Sequence, residues 1–262
     1  MKLVNKIFKY ELSNVLRSRW MIFYTLFFLA ISYSLFAFTN DSGKAILSLM
    51  NVIIVVIPLV SLIFGTMYLY NAREFVEMML CQPIDRKSLY FGIYLGTSVP
   101  LSLSFIFGIL LPFIVRGDVS KQFGLLILLI VTGVLLTLIF TSIAFFISLI
   151  NNDKVKGLGF SIIIWLIMSV IYDGFVLLVI YIFKDYPVEN SVIVMSVLNP
   201  VDLGRIFFML KFDVSAMMGY TGAVFQKFFG NTLGMFISFI SLILWIFLPQ
   251  YAALKNFVKK DF

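Results

Sequence analysis

Six long apolar runs dominate this sequence and restrict what it can fold into. They are residues 20–38, 45–70, 89–115, 123–150, 157–183 and 233–251. A helix crosses a bilayer with about 20 mostly apolar residues, so each run is long enough to do so. The chain is 61% hydrophobic and only 13% charged, which is far more apolar than a soluble domain. We therefore predict an all-α polytopic membrane protein of six transmembrane helices in a single domain, 1–262.

The lengths of the runs predict how they sit in the membrane. Four of them exceed 25 residues, so tilted, kinked or broken helices are expected. The first run follows a cationic segment, as the apolar region of a signal peptide does. It is longer than the usual 7–15 residues, however, and lacks a small-residue cleavage site. We therefore interpret it as a retained span.

The distribution of Lys and Arg predicts the orientation of the spans. The amino-terminal segment carries five such residues, the 71–88 loop three, the 151–156 loop two and the carboxyl tail three. On the opposite side, the 39–44 loop carries one, the 116–121 loop two and the long 184–231 loop four. By the positive-inside rule both termini are cytoplasmic, and the expected location is the bacterial inner membrane. The net charge of +7 reflects this bias, and no basic–aromatic pattern predicts nucleic-acid binding.

Missing residue types exclude several kinds of chemistry. The chain has no His, so His-dependent triads and His-ligated metal sites cannot be built. Its one Cys gives neither an internal disulfide nor a thiolate metal cage. No GxxxxGK[ST] motif is present, so the chain has no P-loop for ATP. We predict no catalytic set, no metal site and no cofactor bound by this chain.

The amino-terminal segment, 1–19, has a helical apolar pattern. Within 3–16, Leu3, Ile7 and Leu12 recur at intervals of about three to five residues, and Lys6 and other polar residues lie between them. This pattern predicts an amphipathic helix in the cytoplasmic membrane interface, in contact with lipid. The alternative is a generic cationic flank that only fixes topology.

A compact amphipathic segment, 71–88, follows the second apolar run. Its charged and apolar residues are too polar for lipid and too apolar for free solution, so we expect it to dock on another surface. Gln82-Pro83 interrupts the helix, and Asp85 or Ser88 can cap the next one. The residues of interest are Arg73, Glu74, Glu77, Met78, Leu80, Gln82, Pro83 and Arg86. The alternative is an ordinary helix–loop–helix connector with solvated charges.

The stretch ARE-FVEMMLCQPIDRKSLYFGIYLG, 72–96, resembles the segment between the second and third spans of ABC-2-type transporter permeases. In that family this segment is a coupling helix seated in a groove of a cytoplasmic ATPase, which binds the ATP and Mg. The six spans and the long loop before the last one agree with the resemblance, which covers most of the chain. One departure is Phe75-Val76, where the family usually has Gly-Thr or Gly-Ser, so the start of the coupling helix is expected to pack differently.

Gly92 and Gly96 form a GxxxG motif at the start of the third span. Small residues at this spacing let helix backbones approach closely in lipid. Chance is the alternative, because Gly is common in membrane helices. In either case the motif concerns packing and not chemistry.

The long external loop, 184–231, contains SVLNPVDLGRIFFMLKF, 196–212. Asn199 can cap a helix, Pro200 suits its first position, and Asp202 lies in the first turn, where a carboxylate favours the helix dipole. Leu203 and the apolar residues that follow it line one face. We predict a short amphipathic helix at or in the outer membrane surface that contacts a partner, with Arg205 in the same segment. The alternative is a plain surface helix that covers the bundle.

Asp173 lies past the middle of the fifth apolar run. A carboxylate there costs roughly 2.5–3.5 kcal/mol on insertion scales, so such residues usually face the interior of the bundle. We interpret Asp173, with Tyr172 beside it, as part of a substrate path or a dimer interface. The alternative is a position near the outer interface, or a hydrogen bond made only for assembly.

A narrower resemblance concerns two stretches. LNPVDLGR, 198–205, and the Trp165 and SVIYDGFVLL region, 165–178, are similar to the permeases of transporters that help to mature nitrous oxide reductase. Such permeases are homodimers with two copies of an ATPase inside and a periplasmic partner outside. They are implicated in moving a sulfur-containing species or in assisting copper delivery. The resemblance therefore implies a homodimer, an ATPase subunit in two copies and a periplasmic accessory protein.

Methionines in the external loop raise the question of copper. Met195, Met209, Met217 and Met218 could offer soft thioether ligands to Cu(I). Their spacing is not that of a compact motif, and Met commonly fills gaps in apolar surfaces. We therefore predict no copper site in this chain.

The function predicted from these features is that of a transporter permease without its own ATPase activity. A partner ATPase would push on 72–88, and the spans would relay the movement to export or to an external partner, with maturation of the copper centres of nitrous oxide reductase as the expected role. The alternatives are an ABC-2 exporter of a drug, lipid or peptide, and an ATP-independent secondary transporter. A secondary transporter needs more polar residues inside its spans, where Asp173 is nearly alone.

Overall fold

A computed structural model describes residues 2–39, 42–116, 119–183, 189–210 and 219–260. Within these ranges the chain is helical, with no strand. The α-helices are α1 (Lys2–Leu16), α2 (Arg19–Phe38), α3 (Ser42–Asn71), α4 (Arg73–Leu80), α5 (Arg86–Arg116), α6 (Val119–Ile150), α7 (Lys154–Leu166), α8 (Tyr172–Ile182), α9 (Glu189–Leu198), α10 (Pro200–Met209) and α11 (Gly219–Lys259). A π-helical turn, Ile167–Ile171, joins α7 to α8.

Six helical stretches in the described part of the chain are long and apolar enough to cross a bilayer, which confirms the predicted fold class. They are Arg19–Phe38, Ser42–Asn71, Arg86–Val115, Phe123–Ile150, Lys154–Ile182 and Thr232–Lys259. Every predicted apolar run therefore lies in one of them, apart from Phe183 just after the fifth. One of the expected interruptions is present, because the fifth span contains the π-helical turn, whereas the helices of the second, third and fourth spans are continuous, two of them across internal prolines.

The main core lies between α2, α3, α5, α6 and α10. Phe28 of α2 and Phe105 of α5 are fully buried and meet edge to face, with ring centroids 5.2 Å apart. Phe36 and Phe113 repeat this contact about two turns further along the same two helices. α2 and α5 therefore run parallel, as the first and third spans of a serpentine chain must.

A second buried cluster gathers α4 and the neighbouring ends of α5, α6 and α11. Val76, Tyr90 and Phe257 are buried in it, and the rings of Tyr90 and Phe257 lie 5.4 Å apart. The same end of the bundle carries the loop between α6 and α7. We call it the α4 end, and the opposite end, with α9 and α10, the hairpin end.

The GxxxG motif lies against α1. A Cβ on Gly92 would meet the side chain of Ile7 at 2.6 Å, and a Cβ on Gly96 would collide with that of Glu11. α1 therefore runs along the first half of α5 at close range. The structure thus gives the predicted small-residue contact a partner, which is the amphipathic amino-terminal helix.

Glu11 also joins α1 to α3. Its carboxylate is buried and accepts a hydrogen bond from the Tyr68 hydroxyl of α3. Burial raises the pKa of the Glu11 carboxyl, against the opposing effects of the Tyr68 and Asn14 side chains. The folded protein therefore holds the proton of this carboxyl more tightly than the unfolded chain does.

The contact at Gly96 predicts a specific effect of substitution. Gly96→Ala forces α1 away from α5 and should cost about 1–3 kcal/mol, the usual cost of overpacking a filled site. Gly159→Ala in α7 is the matched control, because a Cβ there meets nothing within 4 Å. The control should be neutral or slightly stabilising, since Ala favours a helix by about 1 kcal/mol over Gly. Thermal unfolding in detergent compares the two, and equal midpoints would refute close packing at Gly96.

The raised pKa of Glu11 predicts a pH dependence. The native state holds the Glu11 proton more tightly than the unfolded state, so stability from this group falls as pH rises above the ordinary value of 4.5 towards the folded pKa. Protection of the α1 amides from hydrogen exchange should therefore decrease across this window. Glu11→Gln keeps the shape and removes the titration, so its protection should change less with pH. An unaltered profile in Glu11→Gln would show that another group is responsible.

Candidate functional site

α4 is a separate short helix between α3 and α5. A turn at Ala72 separates it from α3, and it ends before Gln82-Pro83, as predicted. The next helix begins at Arg86, where Asp85 Oδ2 accepts a hydrogen bond of 3.1 Å from the backbone N–H of Ser88. Of the two predicted caps, Asp85 therefore performs the capping.

Arg73 ties the start of α4 to the end of α6. Its Nη1 donates to the carbonyl oxygen of Asn152 at 3.1 Å, and its Nη2 donates to that of Asn151 at 3.2 Å. The Tyr70 hydroxyl donates to the same Asn151 carbonyl at 2.8 Å, and the Arg73 guanidinium lies 4.8 Å from the Tyr70 ring. A helix carboxyl end has unpaired carbonyls and a partial negative charge, so a guanidinium is well suited to this position.

Arg86 makes the corresponding contact with the end of α11. Its Nη1 donates to the carbonyl oxygens of Val258 and Lys260, each at 2.9 Å. Lys260 in turn donates from Nζ to the Leu149 carbonyl at 2.7 Å, which joins α11 to α6. The two predicted cations of the 71–88 segment therefore hold it to neighbouring helix ends.

The other predicted residues of this segment divide by exposure. Glu74, Glu77, Met78, Gln82 and Pro83 are exposed, and Leu80 is partly buried against the second cluster. Within α4, the exposed residues are the carboxylates Glu74 and Glu77 and the thioether Met78. These three side chains form an acidic and apolar surface on α4.

The Phe75-Val76 pair packs inward. Val76 is fully buried, and the Phe75 ring stacks on Tyr10 of α1 with centroids 5.6 Å apart. These side chains fix α4 to the second cluster and to α1. Sequence reasoning flagged the pair but did not predict the contact with the amino-terminal helix.

At the hairpin end, α9 and α10 form a sharply bent pair. Their axes make an angle of 110°, the geometry of a broken span or a re-entrant loop. Asn199 lies at the bend, and its Oδ1 accepts a 3.0 Å hydrogen bond from the Val201 N–H. Pro200 occupies the first turn of α10, so the predicted cap and helix start are confirmed.

α10 is not a surface helix. Nine of its ten residues are buried, and Leu203 has no exposed surface. α10 is therefore not the plain surface helix of the alternative prediction. It packs into the main core between α6 and α11, which bury Leu203 and Phe207, and the bent pair has the geometry of a helix that dips into the membrane.

The partner of the intramembrane carboxylate is Arg205. Its Nη1 lies 2.9 Å from Asp173 Oδ2 of α8 and 3.6 Å from Asp202 Oδ1 of α10 itself. The side chains of Arg205 and Asp173 are 29% and 34% exposed, whereas that of Asp202 is 4% exposed. One guanidinium thus bridges two carboxylates. We call these three residues the charge cluster.

Hydrogen bonds reinforce the contact between the hairpin and the fifth span. Asn199 donates from Nδ2 to the Met168 carbonyl in the π-helical turn at 2.9 Å, and the Tyr172 hydroxyl donates to the Met195 carbonyl of α9 at 2.7 Å. Trp245 of α11 donates from its indole nitrogen to the Val197 carbonyl at 3.0 Å. The hairpin is therefore held by two different spans.

The chain is similar to two named permeases at modest identity. No family model matches the chain. It is 22% identical over 236 residues to the probable ABC transporter permease protein NosY of Pseudomonas aeruginosa, covering 84% of this chain and 86% of that protein. It is also 22% identical over 234 residues to the protein of the same name from Stutzerimonas stutzeri, covering 82% and 84%. The chain is therefore similar, at modest identity, to proteins named as probable ABC transporter permeases.

The structure brings together two residues that the sequence analysis considered separately. Asp173 and Arg205 were assigned to different features, and the structure pairs them. The signal for this pairing was available, because a carboxylate inside a span needs a partner. Contacts made through backbone carbonyls, such as those of Trp245 and Lys260, leave no comparable signal.

The described residues were also compared with the requirements of a metal site. Among its described residues, no group of three or more His, Cys, Asp or Glu side chains is arranged to hold a metal ion. Met195 and Met209 lie in α9 and α10, and Met209 is buried. Met217 and Met218 lie outside the described residues.

The charge cluster predicts a measurable coupling. Asp173→Asn and Arg205→Gln each break the ion pair, and a double-mutant cycle of unfolding free energies should give a coupling of about 1.5–3 kcal/mol, the range for hydrogen bonds to charged groups. Asp153→Asn with Arg205→Gln is the control pair, because Asp153 caps α7 at the other end of the bundle. Its coupling should lie near zero. Additive effects of the Asp173 and Arg205 substitutions would contradict the cluster.

Proposed function

We propose that this chain is the membrane-spanning subunit of an ABC transporter, which passes the movement of a partner ATPase at the α4 end to the hairpin end. The chain contributes no nucleotide site, so ATP and Mg bind in the partner, which works in two copies. A movement of α4 has to reach the other side of the membrane through helices that are fixed at both ends.

One observation supports the proposal: the fifth and sixth spans are each held by side-chain contacts at both ends of the bundle. At the α4 end, Arg73 holds the α6–α7 junction and Arg86 holds the end of α11. At the hairpin end, Asn199 and Arg205 contact the fifth span, and Trp245 of α11 contacts α9. Two continuous helical connections therefore run from the coupling segment to the hairpin. Rigid elements of this kind can carry energetic coupling between distant sites.

The ATPase contact surface that we propose is the exposed face of α4. Glu74 and Glu77 flank Met78, so the complementary surface is a groove with basic walls and an apolar floor. Charge complementarity of this kind fixes the register of an interface, and a buried apolar side chain supplies its affinity. The role of Arg73, Leu80 and Arg86 is then to hold that face rigid rather than to touch the partner.

We further propose that the chain works as a homodimer in the bacterial inner membrane, with both termini and the α4 end cytoplasmic. The partly exposed Asp173–Arg205 pair supports a second copy at this face, because charges in a span usually face protein or a water-filled path rather than lipid. Tyr172 lies beside the pair. The exposed apolar residues Val194 and Leu198 of α9 support contact with a periplasmic partner at the hairpin end.

The cargo assignment rests on the named relatives. Both are called NosY, and the narrower sequence resemblance points in the same direction. We propose a role in maturation of the copper centres of nitrous oxide reductase. Copper content of that enzyme in a strain without this chain tests the role, and full copper loading would leave the permease proposal standing with another cargo.

The α4 face gives the test of the permease proposal. Met78→Asp removes the apolar centre of the proposed interface without touching the fold, because Met78 is exposed. Loss of one central anchor typically costs 2 kcal/mol or more, so binding of the ATPase should weaken by about 30-fold or more. Co-purification and ATPase stimulation by the reconstituted permease are the measurements. Glu77→Lys should weaken binding in the same direction and increase its salt dependence.

The matched control for Met78→Asp is Val155→Asp. Val155 is likewise an exposed apolar residue at the α4 end, but it lies in the first turn of α7 and is not part of the proposed α4 contact surface. ATPase binding should be unchanged in this variant. Equal binding by Met78→Asp and the unsubstituted chain would refute the α4 face as the docking site.

A further inference from the structure

The charge cluster contains one more acidic group than basic groups. Arg205 Nη1 lies 2.9 Å from Asp173 Oδ2 and 3.6 Å from Asp202 Oδ1, so one guanidinium faces two carboxyl groups. With both carboxyl groups ionised, the cluster would carry a net negative charge. The Asp202 side chain is only 4% exposed, and an unbalanced charge is costly to bury. Burial therefore favours a cluster that holds one additional positive charge.

The contact between the two carboxyl groups indicates which positive charge fits. The Asp202 side chain is in hydrogen-bonding contact with that of Asp173. An ionised carboxylate only accepts hydrogen bonds, so two carboxyl groups bond to each other only when one of them is protonated. A metal ion fits less well, because the Arg205 guanidinium would repel it. The geometry therefore suits a proton shared by a pair of carboxyl groups.

The surroundings of Asp202 were searched for another source of positive charge. Among the described residues, the titratable side chains that face Asp202 are those of Asp173, Arg205 and Tyr172. α10 also packs against α3, α6, α9, α11 and the π-helical turn. The charged residues of these elements lie towards the ends of their helices: Lys44, Lys121, Glu189, Lys227, Lys255, Lys259 and Lys260. Arg205 is therefore the one described cation beside the two carboxyl groups.

We propose that the charge cluster binds one proton, carried by Asp202 while Arg205 pairs with Asp173, and that displacement of the fifth span releases it. Asp202 is the carrier because it is less exposed than Asp173 and further from the guanidinium. When Asp173 moves away with α8, the O–H bond of Asp202 breaks and water at the exposed side accepts the proton. The Asp202 carboxylate then pairs with Arg205, so the cluster is neutral in both arrangements.

Proton binding and the position of the fifth span are linked in this scheme. The arrangement with Asp173 beside Arg205 binds the proton, and the separated arrangement does not. Lowering the pH therefore favours the contact, and raising the pH favours separation, since linkage is reciprocal. The proton site depends on the geometry of a single chain. Only the assignment of the released proton to the periplasmic side rests on the proposed orientation.

Infrared spectroscopy of the purified chain tests for the proton. The band of a protonated carboxyl group should persist at about pH 6, where an ordinary aspartate with a pKa of about 3.9 is ionised. Glu11→Gln is the background for all samples, because Glu11 also holds its proton tightly. Asp202→Asn should abolish the band. Asp173→Asn should abolish it as well, because Asp202 then pairs with Arg205 as a carboxylate.

The matched control is Asp153→Asn, which removes an exposed carboxyl group that caps α7 at the α4 end. Its spectrum should keep the band. Absence of the band from the unsubstituted cluster, or its survival in Asp202→Asn or Asp173→Asn, would overturn the proposal. Loss of the band on addition of sodium ions would show that the cluster binds a metal cation in place of a proton, and the proposal would again be wrong.

Distance measurements by electron paramagnetic resonance test the link to the fifth span. Leu177→Cys in α8 and Val194→Cys in α9 place spin labels at exposed positions, in a Cys81→Ser background that removes the one native Cys. Dilution with unlabelled chain suppresses distances between copies. The distance between the labels should lengthen as the pH rises. Asp202→Asn should keep the short distance at every pH, because its amide copies the protonated carboxyl group.

Two outcomes of the distance measurement contradict the linked movement. One is a distance that does not change with pH in the labelled chain, and the other is a pH-dependent distance that persists in Asp202→Asn. None of these measurements requires the ATPase, so the proton site and the permease proposal can fail independently.

Discussion

Hydrocarbon offers no hydrogen-bond partner, so backbone groups freed where a helix breaks in the membrane have to be satisfied by another part of the chain. In this protein the helix ends at the edge of the bundle are completed in the same way. At the end of α6 and in the loop after it, the carbonyls of Leu149, Asn151 and Asn152 accept hydrogen bonds from Lys260, Tyr70 and Arg73. At the end of α11, Arg86 has the same role. The α4 end is therefore held by side chains that complete neighbouring helices.

The same requirement explains the hairpin end. A π-helical turn disturbs the regular hydrogen-bond ladder, and such turns occur often at functional sites. Here the Asn199 amide meets the Met168 carbonyl within the turn, while its carbonyl oxygen caps α10. The Asn199 side chain thus hydrogen-bonds both the π-helical turn of the fifth span and the first turn of α10. Asp173 lies two residues past the turn, where Arg205 reaches it.

The sequence predicts those parts of the structure that depend on local pattern. The six spans follow from apolar length, and the start of α10 follows from Asn199-Pro200, because caps and helix starts are decided within a few residues. The location of α10 does not follow. Leu203 and Phe207 repeat at the spacing of a membrane-surface helix, and only the tertiary structure shows that α6 and α11 cover them. Likewise, the sequence predicts neither the burial of Glu11 nor the identity of Tyr68 as its partner.

The charge cluster joins α10, which is well packed, to the fifth span, which is poorly packed. This difference determines which of the two elements can be displaced more easily. α10 is embedded in the core, whereas only 11% of the most apolar window of the fifth span is buried within the chain. Closely packed elements move between discrete arrangements, because sliding would open voids. The fifth span is therefore the span that packs least against the rest of the described chain, and the junction that precedes it is held to α4 by Arg73. A displacement of that span away from α10 would lengthen the distance between Asp173 and Arg205, while Asp202 stays beside Arg205 on α10. The second carboxylate gives the guanidinium a partner in both positions, so the pair can separate without leaving Arg205 as an unpaired charge in the membrane.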